Sequence, residues 1–299
     1  MSTLFNAWYK ILLLLMFTAL PLSFAHSANY SLYKNVAYGH SEKQFFDVYA
    51  PRAGARNAPV IFMVHGGGWR IGDKASRAVV NNKMNHWVSL GFIFISVNYR
   101  LLPEAHPLEQ AEDIKRALVF AQQHTHKWGG ASDKFILMGH SAGAHLVSLV
   151  SVDQNAGIHP SIGTVALDSA AYDIEKIMNE SSPPRLYRKA FGQQPSYWKK
   201  SSPIVSLNHK IMPFLAVCSS KRKNASCVKA KRFIEKAQTL GANAQLMPLN
   251  LSHREINVKL GHDKCYTLNV DRFIATLHPE FKSMLNLSQI QTQQDCASY

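Results

Sequence analysis

Acidic residues are scarce in this chain. Its 299 residues include 19 Asp and Glu against 33 Lys and Arg, which gives a formal net charge of +14. There is no arginine-rich helix, no alternation of basic and aromatic residues and no nucleic-acid-binding motif. We therefore expect no nucleic-acid partner, and interpret the charge as a solvated surface or as a weak attraction to an anionic envelope or anionic substrates.

Long apolar runs are also rare, and only one stands out. It extends from Ile11 to Phe24, follows Lys10 and leads into the small residues of SFAHSA. This arrangement is typical of a secretory signal, with cleavage after Ala25 or after Ser27. The alternative is a membrane anchor, but a span needs about 20 apolar residues and this run is shorter. We predict a signal peptide over residues 1–25 and a periplasmic or secreted protein.

Only four cysteines occur, and none has a CxxC or Cys/His spacing. The sequence therefore predicts no zinc site, no other metal and no cofactor. In an exported chain an even number of cysteines favours disulfides, and four allow three connectivities. The short interval between Cys218 and Cys227 favours a local bridge, which leaves Cys265 to pair with Cys296. The alternative is free buried thiols.

Internal repeats and low-complexity tracts are absent, and short apolar runs alternate with amphipathic segments instead. The runs lie at residues 60–64, 92–97, 135–138, 164–167, 214–217 and 244–249. The first five are β-branched or aromatic, as in strands buried on both faces. The amphipathic segments include Leu108–Gln123 and Val228–Leu240, the latter ended by Gly241. This alternation predicts one α/β domain over residues 30–280, with a mostly parallel, doubly wound sheet.

Two segments depart from the alternation. Residues 172–210 are rich in Pro, Ser, Tyr and Trp, and we expect them to form a small insertion over the active site. Residues 283–299 are polar, and we expect a loosely held tail that is attached through Cys296.

A glycine-rich motif follows the predicted strand at residues 135–138. Residues 139–143 read GHSAG and lead into the helical run AHLVSLV. G-x-S-x-G between a buried strand and a helix is typical of a nucleophile elbow, in which the glycines permit a sharp turn. The motif alone occurs often by chance, so the strand–turn–helix context carries the interpretation. The sequence predicts that Ser141 is a nucleophile.

A second glycine motif, HGGGW, occupies residues 65–69 directly after the run at residues 60–64. Its backbone N–H groups, at Gly67 and Gly68, are predicted to form an oxyanion hole together with the N–H of Ala142. A flexible turn or a phosphate cradle is the alternative, but no G-K-[ST] follows. We expect His65 to brace the loop by hydrogen bonds.

HGGGW, NYRL at residues 98–101, a helix carrying Asp113 and GHSAG together resemble the α/β-hydrolases. More narrowly, the chain resembles the hormone-sensitive-lipase-like and feruloyl-esterase-like carboxylesterases from about Asn35 to Leu277. The resemblance implies the α/β-hydrolase fold and carboxylesterase activity (EC 3.1.1.-) on a small-molecule ester. It also implies structural roles for Asp113 and the turn Asn98–Arg100.

The general base is expected late in the chain, because the order in this fold is Ser, acid, His. His253 lies just past the run at residues 244–249, and His262 lies beyond a short helical stretch. The phrase SHREINVKLG resembles the catalytic-histidine loop of the family. We therefore predict His253 as the base, with His262 as the alternative.

The stretch CSSKRKNASC, residues 218–227, contains no acidic residue where the family usually has its triad acid. Asn224 is the nearest isostere, but an amide cannot stabilise an imidazolium by charge. Asp168 ends the preceding run TVALD and is predicted to emerge at the same end of the sheet. A capping role is the alternative for Asp168, and is stronger for Asp173. We predict Asp168 as the acid.

Together these residues predict a serine hydrolase that cleaves carboxylic esters through an acyl-enzyme. Two alternatives remain open, an amide or formamide hydrolase or peptidase of the same fold, and a hydrolase-fold binding protein with a weakened triad. Lys221, Arg222 and Lys223 follow the carboxyl end of a predicted strand, so we expect them to border the mouth of the site.

Overall fold

The computed structural model describes residues 29–287 and Cys296. The predicted signal peptide at residues 1–25 lies outside the described residues, as does most of the predicted tail. Among the helices of the described part, none is both long and apolar enough to cross a bilayer.

A single sheet of eight strands forms the centre of the fold. In chain order the strands are β1 (Tyr30–Ala37), β2 (Phe45–Pro51), β3 (Ala58–Val64), β4 (Ile93–Val97), β5 (Gly130–His140), β6 (Gly163–Leu167), β7 (Phe214–Ser219) and β8 (Ala244–Leu249). Their spatial order is β1-β2-β4-β3-β5-β6-β7-β8. The pairs β1–β2 and β2–β4 are antiparallel, and the remaining pairs are parallel.

The six predicted strands are all present, but β1 and β2 were not anticipated from the apolar runs. The cause is visible in β1, which is half-buried to exposed along its length and carries polar residues. It is an edge strand with a neighbouring strand on one side alone, so its side chains are less covered than those of the central strands. β2 is buried, but its run of apolar residues is interrupted by the charged Asp47, which pairs with Lys74.

Helices flank the sheet on both faces, as in a doubly wound fold. They are α1 (Arg77–Ser89), α2 (Pro107–His124), α3 (Ala142–Ser151), α4 (Ile174–Met178), α5 (Arg185–Phe191), α6 (Pro195–Lys200), α7 (Pro203–Ser206), α8 (Ser226–Thr239), α9 (His253–Lys259), α10 (Lys264–Ala275) and α11 (Phe281–Met284). A 3-10 turn, Thr125–Trp128, follows α2. The predicted helices at residues 108–123 and 228–240 are therefore correct to within one or two residues at each end.

The central strand β3 shows why both faces are covered. Val60, Phe62 and Val64 pack into an apolar cluster with residues of α2 and α3. Ile61 and Met63 point to the opposite face and pack with residues of α1 and α10. Because side chains alternate along a strand, a strand that is apolar at every position needs a helical layer on each side.

The segment of residues 172–210 contains the four short helices α4 to α7. Asp173 caps the first of them, accepting a hydrogen bond from the N–H of Lys176. The hydroxyl of Ser202 accepts hydrogen bonds from the N–H groups of Ile174 and Glu175, which holds the end of α6 against the start of α4. The segment therefore forms a compact unit whose helices are tied to one another by side chains.

Asp113 on α2 fixes the turn after β4. Its carboxylate is fully buried and accepts hydrogen bonds from the guanidinium of Arg100 and from the amide of Gln44. Burial works to raise the pKa of Asp113, but the hydrogen bonds from Arg100 and its other donors hold that pKa below its usual value. The contacts are those of a structural ion pair that joins α2 to the sheet.

Both disulfides have the predicted pairing. Cys218 near the end of β7 is bonded to Cys227 at the start of α8, with the two Cα atoms 5.1 Å apart. Cys265 on α10 is bonded to Cys296. The first disulfide closes the loop that contains CSSKRKNASC.

We expect the double variant Cys218→Ala/Cys227→Ala to lose about 2–3 kcal/mol of unfolding free energy, because the bridge restricts a loop of the unfolded chain. Urea denaturation followed by circular dichroism measures this loss. Cys265→Ala/Cys296→Ala is the comparison variant and should lose somewhat more, because that bridge spans 31 positions rather than 9. An unchanged denaturation midpoint for the first pair would contradict a stabilising role for that bridge.

Candidate active site

Ser141 occupies a sharp turn between β5 and α3. Its backbone has φ 57° and ψ −115°, a conformation that L-residues adopt only under constraint. The N–H of Ser141 donates to the carbonyl of Leu167 at the end of β6, at 2.9 Å. A Cβ at Gly139 would lie 2.4 Å from the carbonyl oxygen of Gly143, and one at Gly143 would lie 2.3 Å from that of Val64. The turn therefore requires glycine at both positions.

The HGGGW loop lies directly against this turn. A Cβ at Gly66 would be 2.7 Å from the carbonyl oxygen of His140 and 3.0 Å from the Cβ of Ser141. Gly67 and Gly68 both have positive φ, 125° and 59°. No acceptor within the described part of the chain takes a hydrogen bond from the N–H of Gly67 or Gly68. The loop thus brings backbone with free donors beside the serine.

His65 braces the loop from behind, as expected. Its Nδ1 lies 2.7 Å from the carbonyl oxygen of Gly66, and its ring stacks on Tyr99 at 4.5 Å. The hydroxyl of Tyr99 in turn donates to the carbonyl of His65 at 2.9 Å. Burial lowers the pKa of His65 below its ordinary value, so the ring is neutral and Nδ1–H donates to the carbonyl.

Trp69 fixes the other end of the loop. Its indole N–H donates to Nδ1 of His145 on α3 at 3.2 Å, and its ring packs edge-on against Tyr187 and Phe191 of α5. His145 is fully buried, and burial lowers its pKa to about 4, so it is a neutral acceptor for the indole. The loop, the helix after Ser141 and the 172–210 segment are thereby packed together.

The structure brings Ser141, His253 and Asp168 into one hydrogen-bonded chain. Nε2 of His253 lies 2.9 Å from Oγ of Ser141, and Nδ1 lies 2.6 Å from Oδ2 of Asp168. Because a carboxylate only accepts, Nδ1 carries the proton and Nε2 is free to accept the serine hydroxyl. This tautomer is the one that a histidine general base requires.

Asp168 stands at the end of β6 and is fully buried. Its Oδ1 accepts the N–H of Ser219, at the end of the neighbouring strand β7, at 3.0 Å. Burial works to raise the pKa of Asp168, but the hydrogen bond with His253, the charge of Arg222 and the N–H of Ser219 together hold it below its usual value. The carboxylate is therefore ionised at neutral pH.

His253 is the first residue of α9, and the ends of this helix are both fixed. Ser252 and Glu255 form a reciprocal capping box at its start. At its other end, Nδ2 of Asn82 donates to the carbonyl of Val258 at 2.7 Å, and the buried Lys83 donates to the carbonyl of Asn257. Burial lowers the pKa of Lys83 to about 7. Helix α1 thus anchors the helix that presents the imidazole.

His140, the residue before the serine, contacts His253 directly. Its Nε2 lies 3.0 Å from the carbonyl oxygen of His253, and the two rings are 4.5 Å apart. Burial lowers the pKa of His140 to about 3, with a further lowering from the neighbouring His253, so His140 is neutral and its Nε2–H donates. This contact could not be predicted from local patterns, because it joins residues that are 113 positions apart.

The competing candidates lie elsewhere. Asn224 is exposed in the β7–α8 loop, and His262 is exposed after α9. Asp173 is engaged as the cap of α4. Among the described residues there is also no group of three or more His, Cys, Asp or Glu side chains that could hold a metal ion.

Arg222 is the contact that the sequence reasoning missed. We expected it at the mouth of the site with its lysine neighbours, but its Nη1 donates to the backbone carbonyl of Asp168 at 2.9 Å and lies 3.2 Å from Oδ2. The available clue was that Arg222 lies in the loop after β7, the strand next to the one that leads to Asp168. The distance between the guanidinium and the carboxylate cannot be read from the sequence.

Residues 46–236 match the model of the BD-FAE family. Esterase LipQ of Mycobacterium tuberculosis is 29% identical over 204 residues, covering 64% of this chain and 48% of that protein. A probable isoprenylcysteine alpha-carbonyl methylesterase of Arabidopsis thaliana, ICMEL1, is 25% identical over 236 residues, covering 72% and 49%. Kynurenine formamidase of Salmo salar is 30% identical over 148 residues, covering 48% of each.

The chain therefore spans about half the length of the curated relatives it matches. Among solved structures, a truncated carbohydrate esterase from gut microbiota superimposes with a TM-score of 0.70 at 17% identity, covering 87% of this chain and 98% of that one. Esterase B of Lactobacillus rhamnosis superimposes with a TM-score of 0.69 at 16% identity, covering 90% of each. At such identities the likeness concerns the fold. The chain belongs to the BD-FAE family and has the α/β-hydrolase fold.

Proposed function

We propose that the protein is a serine hydrolase that cleaves carboxylic esters of small molecules through an acyl-enzyme. The observation that carries the proposal is the continuous relay from Oγ of Ser141 through His253 to Asp168, with separations of 2.9 and 2.6 Å. A nucleophile, a base in the correct tautomer and a buried carboxylate are the parts that acyl transfer needs. The esterase names among its relatives support an ester as the bond that is cleaved.

In the acylation step, Oγ of Ser141 attacks the carbonyl carbon of the ester while its proton passes to Nε2 of His253. The carbonyl oxygen becomes an oxyanion and accepts hydrogen bonds from the N–H groups of Gly67, Gly68 and Ala142. Each such donor typically contributes about 10²–10³ in rate. The tetrahedral intermediate then collapses, the C–O bond to the alcohol breaks, and Nε2–H of His253 protonates the leaving alkoxide. Acylated Ser141 and a free alcohol result.

In deacylation, His253 takes a proton from water as the water oxygen attacks the acyl carbon. The intermediate collapses with release of the carboxylic acid, and His253 returns a proton to Oγ of Ser141. In both steps Asp168 holds Nδ1–H and stabilises the imidazolium by its charge, and it remains ionised throughout.

Hydrolysis of an amide or formamide is a second candidate, favoured by the likeness to kynurenine formamidase. The same relay serves, because His253 would protonate the amine as it leaves. A panel that pairs acetate esters with the corresponding N-formyl and N-acetyl anilines separates the two, since the better substrate class has the higher kcat/KM.

A binding protein with no chemistry is the remaining alternative, and two observations oppose it. The strained backbone of Ser141 is retained, and the relay is complete. An activated serine reacts with a fluorophosphonate probe, whereas an unactivated one does not. If the wild-type protein neither reacts with the probe nor hydrolyses any substrate of the panel, the proposal that it is a serine hydrolase is excluded.

We also propose that the enzyme acts outside the cytoplasm, in the periplasm or the medium. The predicted signal at residues 1–25 and the two disulfides support this location. The excess positive charge would then face an anionic envelope, which would give a weak, salt-sensitive association.

We expect Ser141→Ala to abolish hydrolysis of p-nitrophenyl acetate and labelling by a fluorophosphonate, since both require Oγ. Initial rates and in-gel fluorescence measure the two losses. Ser151→Ala is the matched control, because it removes a hydroxyl from the far end of the same helix α3. A folded Ser141→Ala protein with most of its wild-type activity would rule out the proposed nucleophile.

We expect Asp168→Asn to lower kcat by about 10⁴, because an amide favours the wrong tautomer of His253 and carries no charge to stabilise its imidazolium. Asn224→Ala is the control and should change kcat little, since Asn224 is exposed in the loop. Steady-state kinetics at pH 8 distinguish the two. A larger loss of kcat in Asn224→Ala than in Asp168→Asn, with Asn224→Asp faster than wild type, would show that residue 224 in the β7–α8 loop orients His253 instead.

A further inference from the structure

The β7–α8 loop holds a cation where an acid was expected. The loop is closed by the bridge between Cys218 and Cys227, and its middle carries Lys221, Arg222 and Lys223. Lys221 and Lys223 are exposed, whereas the side chain of Arg222 is only 22% exposed. Arg222 therefore turns inward from a loop whose other basic residues face solvent.

The inward guanidinium reaches the relay through a single nitrogen. Nη1 of Arg222 lies 2.9 Å from the backbone oxygen of Asp168, 3.2 Å from its Oδ2 and 3.3 Å from Nδ1 of His253. The last of these separations is not a hydrogen bond, because Nδ1 already carries the proton that it donates to Asp168. Two donors, one from Arg222 and one from His253, converge on the same carboxylate oxygen.

This convergence constrains Asp168 at both its backbone and its side chain. Asp168 has φ 55°, a conformation that is unfavourable for a residue with a Cβ. Nη1 of Arg222 binds its carbonyl and its carboxylate together, while the N–H of Ser219 holds the other carboxylate oxygen. The strained backbone is thus fixed from the neighbouring strand and its loop.

The same arrangement affects the charge on His253. When His253 accepts the proton of Ser141, its imidazolium stands 3.3 Å from the permanently charged guanidinium. Asp168 favours that imidazolium, and Arg222 opposes it both by direct repulsion and by sharing the negative charge of the carboxylate. The His253 side chain is 36% exposed, so solvent screens part of this repulsion.

Other titratable groups surround the relay on each element packed against it. They are Lys83 on α1, His140 on β5, Tyr172 after β6, Tyr187 on α5 and Tyr266 on α10. Burial raises the pKa of the three tyrosines and lowers that of His140 to about 3, so all four are neutral between pH 5 and 9. Lys83, whose pKa burial lowers to about 7, titrates in that range but does so equally in every Arg222 variant.

We propose that Arg222 is a positioning residue of the relay: it holds the Asp168 carboxylate toward His253 and opposes protonation of His253 in the resting enzyme. The proposal rests on the proposed hydrolase function. On this proposal the loop CSSKRKNASC, which has no acidic residue, supplies the positive charge of Arg222 that pairs with Asp168 at the end of the adjacent strand.

The test compares Arg222→Gln, Arg222→Lys and wild type in the pH dependence of kcat/KM for p-nitrophenyl acetate, a neutral substrate. Lys221→Gln is the matched control, because it makes the same charge change one position away on an exposed side chain. We expect Arg222→Gln to move the midpoint of the acid limb upward by about one pH unit and to lower the plateau. We expect Arg222→Lys to lower the plateau while the midpoint stays near that of wild type, and Lys221→Gln to change neither.

A lower plateau with an unmoved midpoint in Arg222→Gln would reduce Arg222 to a structural support and overturn the proposal. A downward shift of the midpoint in Arg222→Gln would also overturn the proposal. So would an upward shift of the same size in the control Lys221→Gln.

A second readout does not depend on turnover. The NMR titration of the His253 Cε1–H, identified by its absence in His253→Gln, should shift upward by about one unit in Arg222→Gln. Wild-type protein that neither hydrolyses esters nor reacts with fluorophosphonate would refute the proposed function instead, and this titration would still decide the role of Arg222.

Discussion

The carboxylate of Asp168 is the constraint on which the candidate site depends. A fully buried charge is unfavourable unless it is paired and hydrogen-bonded, and this one is satisfied by donors from three separate parts of the chain. The N–H of Ser219 comes from β7, the imidazole of His253 from α9, and the guanidinium of Arg222 from the β7–α8 loop. Removal of any one donor leaves the charge undercompensated, so the carboxylate couples the positions of all three.

A second set of contacts makes the serine turn equally rigid, and here the constraint is steric. The carbonyl oxygen of His140 stands where a side chain at position 66 would have to go, and the carbonyl oxygens of Val64 and His65 stand where one at position 143 would have to go. The turn and the glycine loop therefore fit together only because neither has side chains at the contact. Hydrogen bonds from His65 and Trp69 then hold the loop in place from outside. One half of the site is thus set by close packing, and the other half by charge.

The parts of the fold that sequence could predict are those determined by local pattern. Apolar runs identified six of the eight strands, and G-x-S-x-G placed Ser141 because the turn needs its glycines within five consecutive positions. The edge strand β1 was missed because it is only partly buried. The contacts of His140 and Arg222 were missed for a different reason. The two contacts join residues that are 113 and 54 positions apart in the sequence. They also depend on where β6, β7 and β8 end at the carboxyl side of the sheet.

The hydrogen bond between Asp168 and the N–H of Ser219 shows how near the ends of β6 and β7 lie to each other. A carboxylate carried by either strand end would reach almost the same point beside the imidazole. The position of the carboxylate in space is therefore tightly defined, but the residue that carries it could follow either β6 or β7. A chain with this fold can move its acid from one strand to the next without redesigning the serine or the histidine. In this chain the β7–α8 loop carries no acid and instead places the guanidinium of Arg222 beside Asp168.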